Sequence, residues 1–206
     1  MLPHEAIKTL KEKKVLVTGG TGLIGREVVR MLNDAGARVF TASLEPGPLD
    51  PRCVAHFRCN LIDYPGLDTI LDNIDMVFHL AGMKGSVKET SEKHDSFFTP
   101  MLLLNTRVLD ACRRVGVKKV VYASSIGAYA PGDVLQEEQA FEGNPMDLYP
   151  GWAKRMGEIQ INAYREEYGL NWTAVRLSSV YGPGDRFNEA AMFIPALMYK
   201  VLRGDS

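Results

Sequence analysis

The residues whose types and spacing could do chemistry begin near the N-terminus. The run Lys13-Lys14-Val15-Leu16-Val17-Thr18-Gly19-Gly20-Thr21-Gly22-Leu23-Ile24-Gly25 places Gly19, Gly22 and Gly25 in the pattern G-x-x-G-x-x-G. Glycines so spaced between a strand and a helix allow a sharp turn, a close approach of backbone to a pyrophosphate, and tight helix–strand packing. The helix that follows would aim its N-terminal amides and positive dipole end at the diphosphate. A glycine turn without a ligand is the alternative, and the strand and helix legible on either side favour dinucleotide binding. Other chemistries find less support. His4, His56, His79 and His94 are scattered without ligand spacing, so no metal site is expected. Cys53, Cys59 and Cys112 form an odd set with no CxxC pair, which reads as free thiols in a reducing cytoplasm. His79 closes a buried strand and reads as a core histidine.

The elements that must position this turn alternate between strand and helix. Val15 to Thr18 is continuously apolar, as a strand covered on both faces should be. From Gly22 to Ala35, Ile24, Val28, Met31, Leu32 and Ala35 recur at helical spacing, with Gly36 as a C-cap. Further strands are expected at Arg38–Ala42, Val54–Cys59, Met76–Gly82, Lys118–Ala123 and Trp172–Leu177. Helices are expected at Pro65–Leu71, Phe97–Arg114, Gly151–Tyr168 and Ala190–Leu202, and residues 130–148 read as a loop. This alternation predicts an α/β fold, a doubly wound parallel sheet of the Rossmann type with right-handed crossovers. At 206 residues and 46% hydrophobic, the chain can fill a sizeable core. A net charge of −1 gives no reason to expect nucleic acid or an anionic membrane as partner. No apolar run approaches the ~20 residues of a membrane span.

Read together, Thr18 to Gly25, His79-Leu80-Ala81-Gly82, Ala123-Ser124-Ser125, Tyr149 with Lys154, and Val180-Tyr181-Gly182-Pro183-Gly184 occur in an order that resembles the extended short-chain dehydrogenases/reductases. The resemblance is to their NAD-dependent epimerase/dehydratase group, with local similarity to GDP-fucose synthases. It covers nearly the whole chain. It implies a dinucleotide-binding Rossmann domain over residues 1–180 and, over 181–206, the beginning of a smaller domain for a nucleotide diphosphate sugar. Cofactor contacts would come from Gly19, Thr21, Gly22, Leu23 and Ile24 in the turn, Ser43 after the second strand, Asn60 and Leu61, Leu80, Ala81 and Gly82, and Lys154. The helices at Phe97–Arg114 and Gly151–Tyr168 would make a homodimer contact, although packing on the sheet explains their apolar faces equally well.

The resemblance assigns catalysis to Tyr149, Lys154 and Ser125. A phenol of pKa ~10 is a poor base near neutral pH. The Lys154 ammonium and a positive nicotinamide would favour its ionised form. Lys154 would also hold the nicotinamide ribose, and Ser125 would bond the reacting oxygen, with Ser124 the less favoured neighbour. A turn role is the plain alternative for the two serines. The spacing departs from the family's Tyr-x-x-x-Lys, since Tyr149 lies five residues before Lys154 and Pro150 stands four before it. On a regular helix five residues separate two side chains by about 140°. Because proline suits a first helical turn, the sequence predicts a helix that starts at Pro150 or Gly151. Tyr149 would then sit just outside it, free to aim its hydroxyl at Lys154.

Cofactor and reaction are narrowed less far. The acidic position expected after the second strand is Ser43, with Glu45 two residues later. No Arg or Lys follows until Arg52, so NAD and NADP both stay open. The resembling dehydratases carry an Asp-Glu pair where this chain has Ile126 and Gly127. The cysteine and histidine of GDP-fucose synthases fall on Gly127 and Gly184. Tyr, Lys and Ser remain, enough for oxidation and reduction at sugar C4. An epimerase uses that set twice, and a 4-keto reductase or dehydrogenase uses it once. Arg176 and Tyr181 could orient substrate, and Met83 to Val87 would form a loop over the nicotinamide. A dinucleotide-binding module without catalysis is the alternative from a different class.

Overall fold

The computed structural model describes residues 3–83, 87–185, 187, 188, 191 and 193–204. After a short helix α1 (His4–Leu10), the elements are β1 (Lys14–Thr18), α2 (Leu23–Asp34), β2 (Arg38–Ser43), β3 (Ala55–Arg58), α3 (Leu67–Leu71), β4 (Met76–His79), α4 (Val87–Glu92), α5 (His94–Val115), β5 (Lys119–Ser125), α6 (Leu148–Tyr168), β6 (Thr173–Leu177) and α7 (Phe193–Arg203). The strands form one sheet in the order β3-β2-β1-β4-β5-β6, every neighbouring pair parallel. The order reverses between β1 and β4, and both strands end at the same edge. The crevice outside that edge is where such a sheet receives a ligand.

Side-chain alternation assigns each face its cover. Leu16, Val77, Val120 and Tyr122 turn to one face and pack with Leu104, Val108, Leu109 and Ile161 of α5 and α6. Val15, Val17 and Val39 turn to the other and meet Val29 and Leu32 of α2. α5 ends on Gly116 in the left-handed region (φ 78°), which glycine adopts without steric cost.

The boundaries move at positions that matter for the site. β5 runs on through Ser124 and Ser125, because β6 pairs with it as far as Ser125. α4 has no counterpart in the sequence expectation, since its six residues, Val-Lys-Glu-Thr-Ser-Glu, lack an apolar stripe. The largest change is at α6. The helix begins at Leu148, whose φ of 46° is left-handed, so Tyr149 already lies in its first turn. The expected start at Pro150 or Gly151 with Tyr149 outside the helix is therefore corrected. Proline fits anywhere in a first turn and does not forbid two helical residues before it.

Candidate active site

The glycine turn has the build its pattern implied. Gly19 takes φ 69°, and a Cβ there would stand 2.8 Å from the Ala81 amide nitrogen. A Cβ on Gly25 would overlap the Gly19 carbonyl oxygen. Gly22 is the N-cap of α2, no side chain caps it, and no acidic residue occupies the first turn. The leading amides of α2, Leu23 and Ile24 included, are thus left for an anion. Thr21 is held from the β2 side. Its amide donates to Ser43 Oγ at 3.3 Å, and its hydroxyl donates to Glu45 at 2.9 Å. Ser43 is buried, and the carboxylate at this place comes from Glu45.

The other assigned cofactor residues divide. Leu80, Ala81 and Gly82 leave β4 beside the turn, Leu80 N–H donating to the Thr18 carbonyl and Ala81 N–H to Thr18 Oγ1. Leu61 is buried in the core, and Asn60 bonds within its own turn to the Ile62 amide and to Asp63. Of the loop expected over the nicotinamide, Lys84, Gly85 and Ser86 lie outside the described residues.

A buried polar chain joins the glycine turn to α6. Thr18 Oγ1, which accepts from Ala81, donates to His79 Nδ1 at 2.8 Å. His79 Nε2 then donates to Asn105 Oδ1 at 3.2 Å, and Asn105 Nδ2 donates to the Tyr122 hydroxyl at 2.9 Å. That hydroxyl faces the Lys154 carbonyl at 3.5 Å. Each group has one consistent role, so the chain fixes the histidine tautomer. Burial and the Lys154 charge push the His79 pKa down to about 3, which leaves the imidazole neutral.

Lys154, half-buried, ends this chain. Nζ donates to the Ala123 carbonyl at 2.6 Å, lies over the Tyr122 ring at 5.1 Å, and stands 3.6 Å from where a Gly82 Cβ would be. Burial lowers the lysine pKa to about 8, against the opposing pull of Glu158.

Ser125 lies at the end of β5, and its Oγ accepts from the Gly127 amide at 3.1 Å. Ser124 turns inward and donates to Glu158. Tyr149 is not brought to these groups. Its ring lies tilted against His94 at 4.6 Å and meets Phe98 at 6.0 Å, both on α5, and it is 41% exposed. Five residues of regular helix carry it round α6 away from Lys154.

Sequence reasoning missed several neighbours. Asp147 presses its carboxyl against Gly127, where a Cβ would overlap it, and partial burial raises its pKa from the ordinary carboxylate value. Arg26 fills the space beside Gly184 with its Nε buried and without a hydrogen-bond partner. Glu158 and Arg155 are buried charges on α6. The available signal was their place on the apolar side of a helix, four and one residues after Lys154.

The model of the NAD dependent epimerase/dehydratase family matches residues 15–206, from β1 through the glycine turn and Lys154 to the end of the chain. The chain belongs to that family. Within the epimerase/dehydratase family it is 31% identical to a dTDP-4-dehydro-6-deoxy-D-allose reductase from Streptomyces sp, over 94% of this chain and 64% of that protein. The solved UDP-N-acetylglucosamine 4-epimerase from Methanobrevibacter ruminantium M1, in complex with UDP-N-acetylmuramic acid, superposes with a TM-score of 0.81 at 28% identity, covering 95% of this chain and 64% of that one. A Thermus thermophilus UDP-glucose 4-epimerase complexed with NAD superposes with a TM-score of 0.74 at 32% identity, covering 85% and 58%. The chain thus spans somewhat less than two thirds of the length of these epimerase/dehydratase relatives. Among the described residues no helix is long and apolar enough to cross a membrane, and no cluster of metal-ligating side chains is found.

Proposed function

We propose that this chain is the dinucleotide-binding part of an NAD-dependent nucleotide-sugar epimerase that works through transient oxidation at C4. The observation that supports this most is one edge of the sheet. The uncapped first turn of α2 faces it from β1, and the half-buried Lys154 amine reaches beside Gly82 from α6. The first suits a diphosphate, the second the hydroxyls of a nicotinamide ribose. NAD, when bound, supplies the acceptor for the hydride from C4. Gly19, Thr21, Gly22, Leu23 and Ile24 would hold the diphosphate side, with Leu80, Ala81 and Gly82 flooring the cleft. Ser125 would bond the reacting oxygen. Tyr149 would take and return the hydroxyl proton once its ring leaves His94 and reaches the sugar hydroxyl.

Glu45, bonded to Thr21, supports NAD over NADP, since a carboxylate there would accept from ribose hydroxyls and repel a 2′-phosphate. Residues 181–206 would begin the part that holds a nucleotide diphosphate sugar. Exposed Leu103 on α5 with Met156 and Ile159 on α6 support a homodimer through those helices. The free Cys53, Cys59 and Cys112 suit a cytoplasmic setting. A 4-keto reductase or dehydrogenase would use the same groups once, and the similarity to a Streptomyces reductase supports that second reading. The contact of Tyr149 with His94 supports a binding module without catalysis.

A nucleotide-sugar screen tests these readings. The full-length protein that carries this chain is incubated with NAD and UDP-, dTDP- or GDP-hexoses and followed by NMR. An epimerase forms the 4-epimer without net NADH, whereas accumulating NADH marks a dehydrogenase. Saturable NAD binding with neither product rejects the catalytic reading in favour of the binding module.

A further inference from the structure

One turn after Lys154 on α6, the carboxylate of Glu158 lies 2% exposed between β5 and β6. Arg176 of β6 grips it with Nε at 3.1 Å from both oxygens and Nη2 at 2.6 Å from Oε2. Ser124 of β5 donates to its other oxygen. Arg176 Nη1 also donates to the Tyr129 hydroxyl at 3.0 Å, and its guanidinium lies over that ring at 4.7 Å. One ion pair therefore ties α6 to the ends of β5 and β6 and to the turn after β5. A buried pair of this kind is a weak device for stability, because apolar residues of similar volume commonly serve as well. Its place beside Lys154 suggests another use.

The groups facing the Lys154 amine make the electrostatics plain. His79 of β4 is neutral, and burial raises the pKa of Tyr122 on β5, so neither brings a charge to the amine near neutral pH. Arg155 of α6 is engaged with the Ala128 and Gly143 carbonyls, and Arg176 of β6 is engaged with Glu158. Glu158 is the group that opposes the effect of burial on the amine.

We propose that Glu158 and Arg176 are positioning residues of the cofactor site: the Glu158 carboxylate keeps the Lys154 amine a cation able to hold ribose, and Arg176 keeps that carboxylate in place. The proposal rests on Lys154 holding the nicotinamide ribose. Its consequence is that the pair sets the pH at which the lysine loses its charge and its grip.

NADH fluorescence titrations of the whole chain between pH 6 and 9.5 test this without requiring turnover. Wild type is expected to bind tightly at low pH and to weaken with a midpoint near the lysine pKa of about 8. Glu158→Gln removes the supporting charge and moves the midpoint down by about one unit. The double variant Glu158→Gln with Arg176→Gln leaves no lone buried charge, so it keeps the test open should the single variant fail to fold. It is expected to show a smaller downward shift, because the Arg176 cation leaves together with the Glu158 anion, whereas Arg176→Gln alone does not lower the midpoint. A purely structural role would weaken binding equally at every pH. A midpoint at the wild-type value in both Glu158 variants would overturn the proposal and leave the cofactor reading standing. A wild-type chain that never binds NADH overturns the cofactor reading itself.

Discussion

Replacing Lys154 by methionine should separate binding from stability in a way that can be worked out in advance. Burial draws the amine from 10.5 to about 8. At 1.36 kcal/mol per unit, a depression of about 2.5 units amounts to about 3 kcal/mol against the folded state while the amine is charged. Methionine keeps a similar length and removes that term. It also strips the Ala123 carbonyl of a 2.6 Å hydrogen bond, at a cost of about 1–3 kcal/mol. At pH 7 the variant should therefore be as stable as wild type or slightly more so. Because the folded pKa lies below the unfolded one, the unfolded wild-type chain binds more protons between about pH 8 and 10.5, and wild-type stability rises across that window. The difference between Lys154→Met and wild type should move in favour of wild type by about 3 kcal/mol, or about 6–12 °C in melting temperature for a chain of this size. Thermal unfolding of both proteins from pH 7 to 10.5 measures it, with NADH titration as the companion assay, in which Lys154→Met should lose most affinity. A stability difference that stays constant with pH would refute the description of Lys154 as a partly desolvated cation.

Other substitutions test the remaining parts of the site. Tyr149→Phe should abolish turnover of the nucleotide sugar and spare NADH affinity, and unchanged turnover would remove Tyr149 from the reaction. Gly25→Ala would drive a methyl group into the Gly19 carbonyl, so it should lower stability by about 3 kcal/mol or more in urea titrations and weaken NADH binding. A variant as stable as wild type contradicts the close packing of turn and helix. Glu45→Gln should lower the ratio of kcat/KM for NAD over NADP by about tenfold, equivalent to about 1.4 kcal/mol. An unchanged ratio would exclude Glu45 from the ribose site.

The glycine turn and the alternation of strand and helix were accessible from sequence because each rests on local rules, while Lys154 was reached through the family resemblance. Gly19, Gly22 and Gly25 announce a turn by spacing alone, and Val15 to Val17 announce a strand covered on both faces. The position of Tyr149 was less legible. Pro150 is compatible with a helix that starts at Leu148 as well as one that starts later, and the left-handed Leu148 that decides between them leaves no mark in composition. The Glu158–Arg176 pair was hidden for a different reason. Its members are 18 residues apart, and what joins them is the register of β6 against β5 together with the packing of α6. Asp147 at Gly127 shows the same limit. Read along the chain, position 127 has no side chain to offer, while in the fold a carboxylate from the start of α6 fills the place.

The central claim is that one edge of the sheet holds a dinucleotide between the glycine turn and Lys154. A crystal structure of the chain with NAD tests it most directly. The account expects the diphosphate on the leading amides of α2 and the nicotinamide ribose hydroxyls within hydrogen-bond reach of Lys154 Nζ. A diphosphate bound away from Gly19–Gly25, or a lysine amine still turned only to the Ala123 carbonyl with the ribose out of reach, would contradict it.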